Sequence, residues 1–192
     1  MTRRLFHIPI IHTSADLGSL SVAVQSRYEN VAGDASWAQR EHVVQSLWTE
    51  IQARLDALRL DGSTTRLYQD GLPICGFEDR IVRELANAGS VNHQILVGLM
   101  DRGAALMGTE DPQLLMEEYD VQKQALAQPP SDPALQADAR QRAERLLRSR
   151  DRFIAERIAA TLQEGETGLL FLGALHKLDS LPSDDIRLEQ LL

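Results

Sequence analysis

Gly168-Leu169-Leu170-Phe171-Leu172, five residues without a polar side chain, runs directly into Gly173-Ala174-Leu175-His176 and follows a long charged segment that ends at Gly165. So short and apolar a run has the composition of a strand covered on both faces. The preceding segment, Ala134 to Leu162, carries Leu147, Ile154, Ile158 and Leu162 at helical spacing, so the chain reads here as helix, glycine turn and buried strand. A strand covered on both faces belongs to an α/β sheet with parallel strands.

The same alternation recurs outward from this unit. Leu5 to Ile11 is a second apolar run suited to a strand, and it ends at His12-Thr13-Ser14. Leu17, Leu20 and Val24 predict a helix over about Asp16 to Asn30. A longer helix begins near Ser36, with Trp37, Val44, Leu47, Ile51, Leu55 and Leu58 on one stripe and Asp61-Gly62 closing it. Thr64 to Gln69 reads as a strand stopped by Asp70-Gly71-Leu72-Pro73. Phe77 to Met100 is helical but divided at Gly89-Ser90, where Ser90 caps the second piece and puts Val91, Asn92 and His93 in a first turn. Ala104 to Met107 is a short strand, and Gly108 to Pro112 leads into a helix through Leu114, Leu115, Glu118 and Val121. Residues 128–133, Gln-Pro-Pro-Ser-Asp-Pro, form a surface loop, and Ile186 to Glu189 is a last short strand. The expected architecture is a single α/β domain over residues 1–192, with a mainly parallel sheet of about four or five strands flanked by long helices.

A chain of 192 residues, 43% of them hydrophobic, is enough for one substantial core and not for two full domains. Its 20 basic and 28 acidic residues leave a formal charge of −8, which disfavours nucleic acid and anionic membrane surfaces as partners. Cys75 is the lone cysteine, so neither a disulfide framework nor a thiolate metal cluster is available; by type it reads as a small buried apolar residue. The first apolar run is broken by His7, Pro9 and His12, unlike a signal peptide, and no stretch approaches the roughly 18 apolar residues of a membrane span. The expected location is the cytoplasm.

Parallel sheets bind ligands outside the carboxyl ends of their strands, where loops converge and helix N-termini point inward. That rule collects His12, Asp70, Glu110 and His176, two imidazoles and two carboxylates suited to a divalent metal or to acid/base work. Arg150 falls three residues after Leu147 and four before Ile154, in register with the buried side of its helix. A guanidinium there is either a structural ion pair or a clamp for an anionic ligand. Asp151, Arg152 and Glu156 lie nearer the polar face and read as solvated. Asn92 and His93 can point donors at a ligand from their helix turn, with His93 expected to be partly exposed. His7 and His42 read as structural. No P-loop, dinucleotide fingerprint, nucleophile elbow or zincin helix occurs.

The run Arg150-Asp151-Arg152-Phe153-Ile154-Ala155-Glu156-Arg157-Ile158, a glycine-containing turn, and Leu169 to His176 together resemble the end of the TraB/PrgY/Tiki group, within the wider superfamily of erythromycin esterase and ChaN. That group shows an Arg-Asn pair opening a helix and Gly-x-x-His after the next strand, together with an earlier Gly-x-x-His after the first strand and a Glu after the second. Here Pro9-Ile10-Ile11-His12 has Pro in place of the first Gly, Asp70 stands for the Glu, and Asp151 stands for the Asn. The resemblance covers the C-terminal quarter, and the N-terminal half by motif order. It implies an α/β fold and, in some members, metal-dependent hydrolysis; others bind a tetrapyrrole or signal without known catalysis.

The expectation is therefore a hydrolase acting on a small molecule or peptide, with His12, His176, Arg150 and Glu110 as catalytic residues. A divalent metal, Mn, Co or Zn, would be held by His12, His176 and Asp70, and the substrate by Arg150, Asn92 and His93. The alternative is a non-catalytic module that holds an anionic or tetrapyrrole ligand in the same pocket. A homo-oligomeric scaffold built on the long helix from Ala134 is a third reading.

Overall fold

Strand β4 (Thr167–Gly173) lies in the middle of a five-stranded parallel sheet, with β1 (Arg3–Ile10) on one side and β2 (Thr65–Gln69) on the other. In a computed structural model that describes residues 2–11, 34–127, 132–178 and 181–192, β3 (Ala105–Met107) and β5 (Ile186–Gln190) form the edges, giving the order β3-β2-β4-β1-β5. The central position explains the composition of β4. Leu169, Leu170, Phe171 and Leu172 have no exposed surface, because strands flank them and helices cover both faces.

Alternate residues feed two separate cores. Phe6, Ile8, Ile10, Leu67, Leu169 and Phe171 pack beneath three helices: α1 (Asp34–Ala57), α2 (Glu78–Asn87) and α3 (Val91–Asp101). Leu5, Tyr68, Leu170 and Leu172 point the other way, onto Ile154 and Ile158 of α5 (Pro133–Thr161). Helix α4 (Pro112–Ala127) packs alongside α5. Full burial of each such Leu, Ile or Phe contributes about 1.5–3 kcal/mol. Polar contacts tie the C-terminal end of α5 to the sheet: the Arg3 guanidinium donates to the Ala159 and Leu162 carbonyls at 2.7 and 2.9 Å, and Arg157 Nε donates to the Gly108 carbonyl at 2.9 Å.

Helix starts follow the sequence signals. Ser90 has extended backbone and its hydroxyl accepts from His93 N, dividing α2 from α3 as the Gly89-Ser90 pair predicts. Asp132 accepts from Ala134 N at 2.7 Å and Pro133 opens α5. The predicted helix at 16–30, His12 and positions 128–131 of the predicted loop lie outside the described residues, as does the side chain of Trp37.

Several local expectations need correction. Trp48, absent from the predicted stripe of α1, is 1% exposed and central to the core, because positions 44, 48, 51 and 55 make one face. On α5 the buried row is Leu146, Arg150, Ile154 and Ile158, four residues apart, and Leu147 is only half-buried. Cys75 is exposed rather than buried: it sits in the loop before α2, where its backbone N–H donates to Glu78 Oε1. Among the described residues no helix is long and apolar enough to cross a membrane.

His7, in the middle of β1, faces the second core with its Nδ1 2.9 Å from Gln190 Oε1 and its Nε2 buried without a partner. Burial holds its pKa below the ordinary histidine value; the Gln190 contact offsets this in part, and the charge of His176 adds to the depression. The folded ring therefore resists a proton that the unfolded chain accepts, and stability attributable to His7 is lost as pH falls below about 6.5. We expect His7→Gln to flatten the loss of unfolding free energy between about pH 7 and 5 in urea titrations; an unchanged slope would refute this role.

Candidate functional site

The carboxyl ends of β2, β3 and β4 meet above the second face of the sheet. The helices after β1 and β2 pack on the first face, whereas the connection leaving β4 places Leu178 and Leu181 against the second. Neighbouring strands whose connections leave in opposite directions open a crevice between their ends. Asp70 occupies that crevice between β2 and β4: its backbone N–H donates to the Phe171 carbonyl at 2.8 Å, and its Oδ2 accepts from Gly173 N at 2.9 Å. A Cβ added at Gly173 would stand 2.7 Å from that oxygen, so glycine is what lets the carboxylate seat here.

Arg150 reaches into the crevice from α5. Its Nε and Nη2 donate to the two carboxylate oxygens of Glu110 at 2.6 and 2.7 Å, Nη2 also donates to Asp70 Oδ1 at 2.7 Å, and Nη1 donates to Glu118 of α4. Four of the five guanidinium N–H bonds thus end on protein carboxylates. Glu110 also accepts from Gly71 N at 2.6 Å. Arg150 is 4% exposed and Glu110 1%, so these are desolvated charges held by bidentate geometry. The structural ion pair, one of the two roles open from sequence, is thus the geometry found.

His176 extends the network. Its Nδ1 lies 2.6 Å from Asp151 Oδ1 and its Nε2 3.5 Å from Asp70 Oδ1. Asp151 is therefore not a solvated surface residue, as its helical position suggested. It orients the imidazole and also accepts from Lys177 N at 3.2 Å. Four carboxylates, of Asp70, Glu110, Glu118 and Asp151, face two cationic side chains.

The titration of these groups follows from their surroundings. Burial would lower the His176 pKa, but Asp70 outweighs it and Asp151 adds to the effect against the opposing charge of Arg150; the imidazolium persists above the ordinary range. Burial likewise works against the Arg150 cation, yet the hydrogen bonds and charge of Glu110, with Asp70 and Glu118, hold its pKa above the usual value. For Glu110 burial prevails over the Arg150 contacts and raises the carboxyl.

The described part of the donor set, Asp70, Glu110 and His176, does not fit a metal. Asp70 and Glu110 already spend their oxygens on Arg150 and on backbone N–H groups, and Nδ1 of His176 is committed to Asp151. Among the described residues no group of three or more His, Cys, Asp and Glu side chains is placed to hold a metal ion. The proposed metal set of His12, His176 and Asp70 is reduced to two described residues in an ion-pair contact. Asn92 and His93 occupy the first turn of α3, on the opposite face of the sheet from α5. His93 is 5% exposed, not partly exposed, with its Nδ1 2.7 Å from Ser90 Oγ, while both amide atoms of Asn92 are buried without a partner.

A cavity of about 780 Å³ lies beside the network, between α5 and the segment after β4. Asp151 is the network residue on its wall. Its size suits a small organic ligand. No model of a known protein family, no curated protein and no solved structure matches the chain.

Two measurements probe the network. Arg150→Ala leaves Asp70 and Glu110 buried without a counter-charge and is expected to cost about 3–5 kcal/mol in chemical unfolding, with Glu118→Gln costing much less because that side chain is 28% exposed; equal losses would contradict the picture. Because the folded pKa of His176 is raised, its stabilisation is complete below the unfolded value of 6.5 and lost as pH rises through the folded value. His176→Gln should abolish this alkaline-side decline.

Proposed function

We propose that the chain binds a small molecule in the cavity beside Asp151, and that the Arg150 network forms a rigid floor for that cavity instead of supplying reacting groups. The observation that carries this reading is the closure of the network: four N–H bonds of Arg150 and both ring nitrogens of His176 face carboxylates of the protein itself. A guanidinium so engaged has little left to offer a substrate anion. The replacement of the TraB-type Gly, Glu and Asn by Pro9, Asp70 and Asp151 supports the same reading, since a fold can persist after its reaction is lost. A small molecule also suits a chain of net charge −8 better than nucleic acid does. The free, exposed thiol of Cys75 is in keeping with the reducing cytoplasm.

Acid/base hydrolysis is the second reading, favoured by one feature. Asp151 joins the cavity wall to His176, whose imidazolium is a potential proton donor to a leaving group. No metal enters either reading.

A thermal-shift and calorimetry screen of small molecules separates them, with Leu147→Trp, which projects an indole from the cavity wall, as the blocking variant. Binding is expected to raise Tm in the native chain and to vanish in Leu147→Trp. Turnover of ester or amide substrates that His176→Gln abolishes would overturn the non-catalytic reading in favour of the hydrolase.

A further inference from the structure

The walls of the cavity are not neutral in their unsatisfied charge. Arg148 stands 3.8 Å from Glu144, and Asp151 is taken by His176 and the Lys177 backbone. The side chains of Arg152 and Lys177 make no ion pair among the described residues, and neither does that of Glu156. Among the described residues of the wall, two uncommitted cations therefore accompany one uncommitted anion, in a protein whose overall charge is strongly negative. The rest of the wall is apolar, with Leu147, Leu178 and Pro182 beside Leu175, which is 79% exposed although it adjoins the ordered end of β4. A wall that combines apolar surface with uncommitted cations matches a ligand with the same two parts.

Resting on the reading of this cavity as a ligand site, we infer that its ligand is a small amphipathic carboxylate, whose anionic group pairs with Arg152 and Lys177 and whose hydrocarbon body covers Leu147, Leu175 and Leu178. The anion-binding role that the sequence offers to Arg150 passes to Arg152, two residues further on and exposed to solvent. The planar guanidinium gives bidentate contacts to a carboxylate, and the Lys177 ammonium adds a point charge.

Octanoate is the probe, with octan-1-ol and octylammonium as controls of equal chain length, measured by calorimetry on the full chain. Octanoate is expected to bind more tightly than either control, and the Arg152→Gln/Lys177→Gln double variant to weaken octanoate about tenfold or more while leaving octanol unchanged. Both substituted side chains are exposed, and a far-UV spectrum matching the native chain confirms that the variant folds. Octanoate binding that is absent, or unaltered in the double variant, overturns the inference, as does tighter binding of octylammonium, which would assign the wall to Glu144 and Glu156. If octanol or another neutral molecule still binds and Leu147→Trp blocks it, the cavity reading stands and the carboxylate class alone falls. If nothing binds to the native chain, both fall.

Discussion

The buried guanidinium of Arg150 is the constraint on which the carboxyl end of this sheet depends. It touches Asp70 after β2, Glu110 after β3 and Glu118 on α4, so a single side chain of α5 fastens three other elements. Asp70 and Glu110 would be costly to bury alone, and the cation would be costly without its carboxylates. What they specify together is a geometry: α5 can seat on the sheet in the one register that brings Arg150 over the crevice. Apolar packing of Ile154 and Ile158 supplies the affinity of α5 for the sheet, and the ion network supplies the alignment.

That alignment carries through to His176. The loop after β4 turns immediately, with His176 N donating to the Gly173 carbonyl, and this brings the imidazole between Asp70 and Asp151. Opposite charges alternate outward from the core in the order Glu110, Arg150, Asp70, His176, Asp151, and the series ends at the wall of the cavity. A closed chain of alternating charges makes a stiff support and a poor set of reagents, because each group is already stabilised by its neighbour. The ligand site proposed above accordingly lies next to the network, with the proposed specificity assigned to Arg152 and Lys177.

Much of the fold was legible because periodicity and punctuation report local physics. The wholly apolar Gly168–Leu172 announced a buried strand, and Ser90 announced a helix start through the hydrogen bond that its side chain makes. The inward register of Arg150 was likewise visible, as was the placing of Asp70, Glu110 and His176 at strand ends. Errors came where neighbours across space decide. Asp151 looked solvated because its own helix turns it toward the polar side, and only the returning loop after β4 brings His176 onto it. Glu118 was read only as one position along its helix, since its importance comes from α4 lying beside α5. Leu147 and Leu146 are adjacent, and the choice of which one is buried rests on the crossing of α5 over the sheet.

The sequence by itself determined the element types, the parallel sheet and the placing of Asp70, Glu110 and His176 at its carboxyl end, because hydrophobic spacing and strand-end position are properties of the chain read locally. Tertiary structure alone decided what those residues do to one another. Whether a buried arginine clamps a ligand or is itself clamped depends on how many carboxylates lie within hydrogen-bond reach, and here that number is three. It also decided that, among the described residues of the cavity wall, the cations left without an ion pair are Arg152 and Lys177, since charge left over is defined by the pairs that form around it. Pairing acts over a few ångströms in space, and no spacing along a chain encodes it without the fold that brings the partners together.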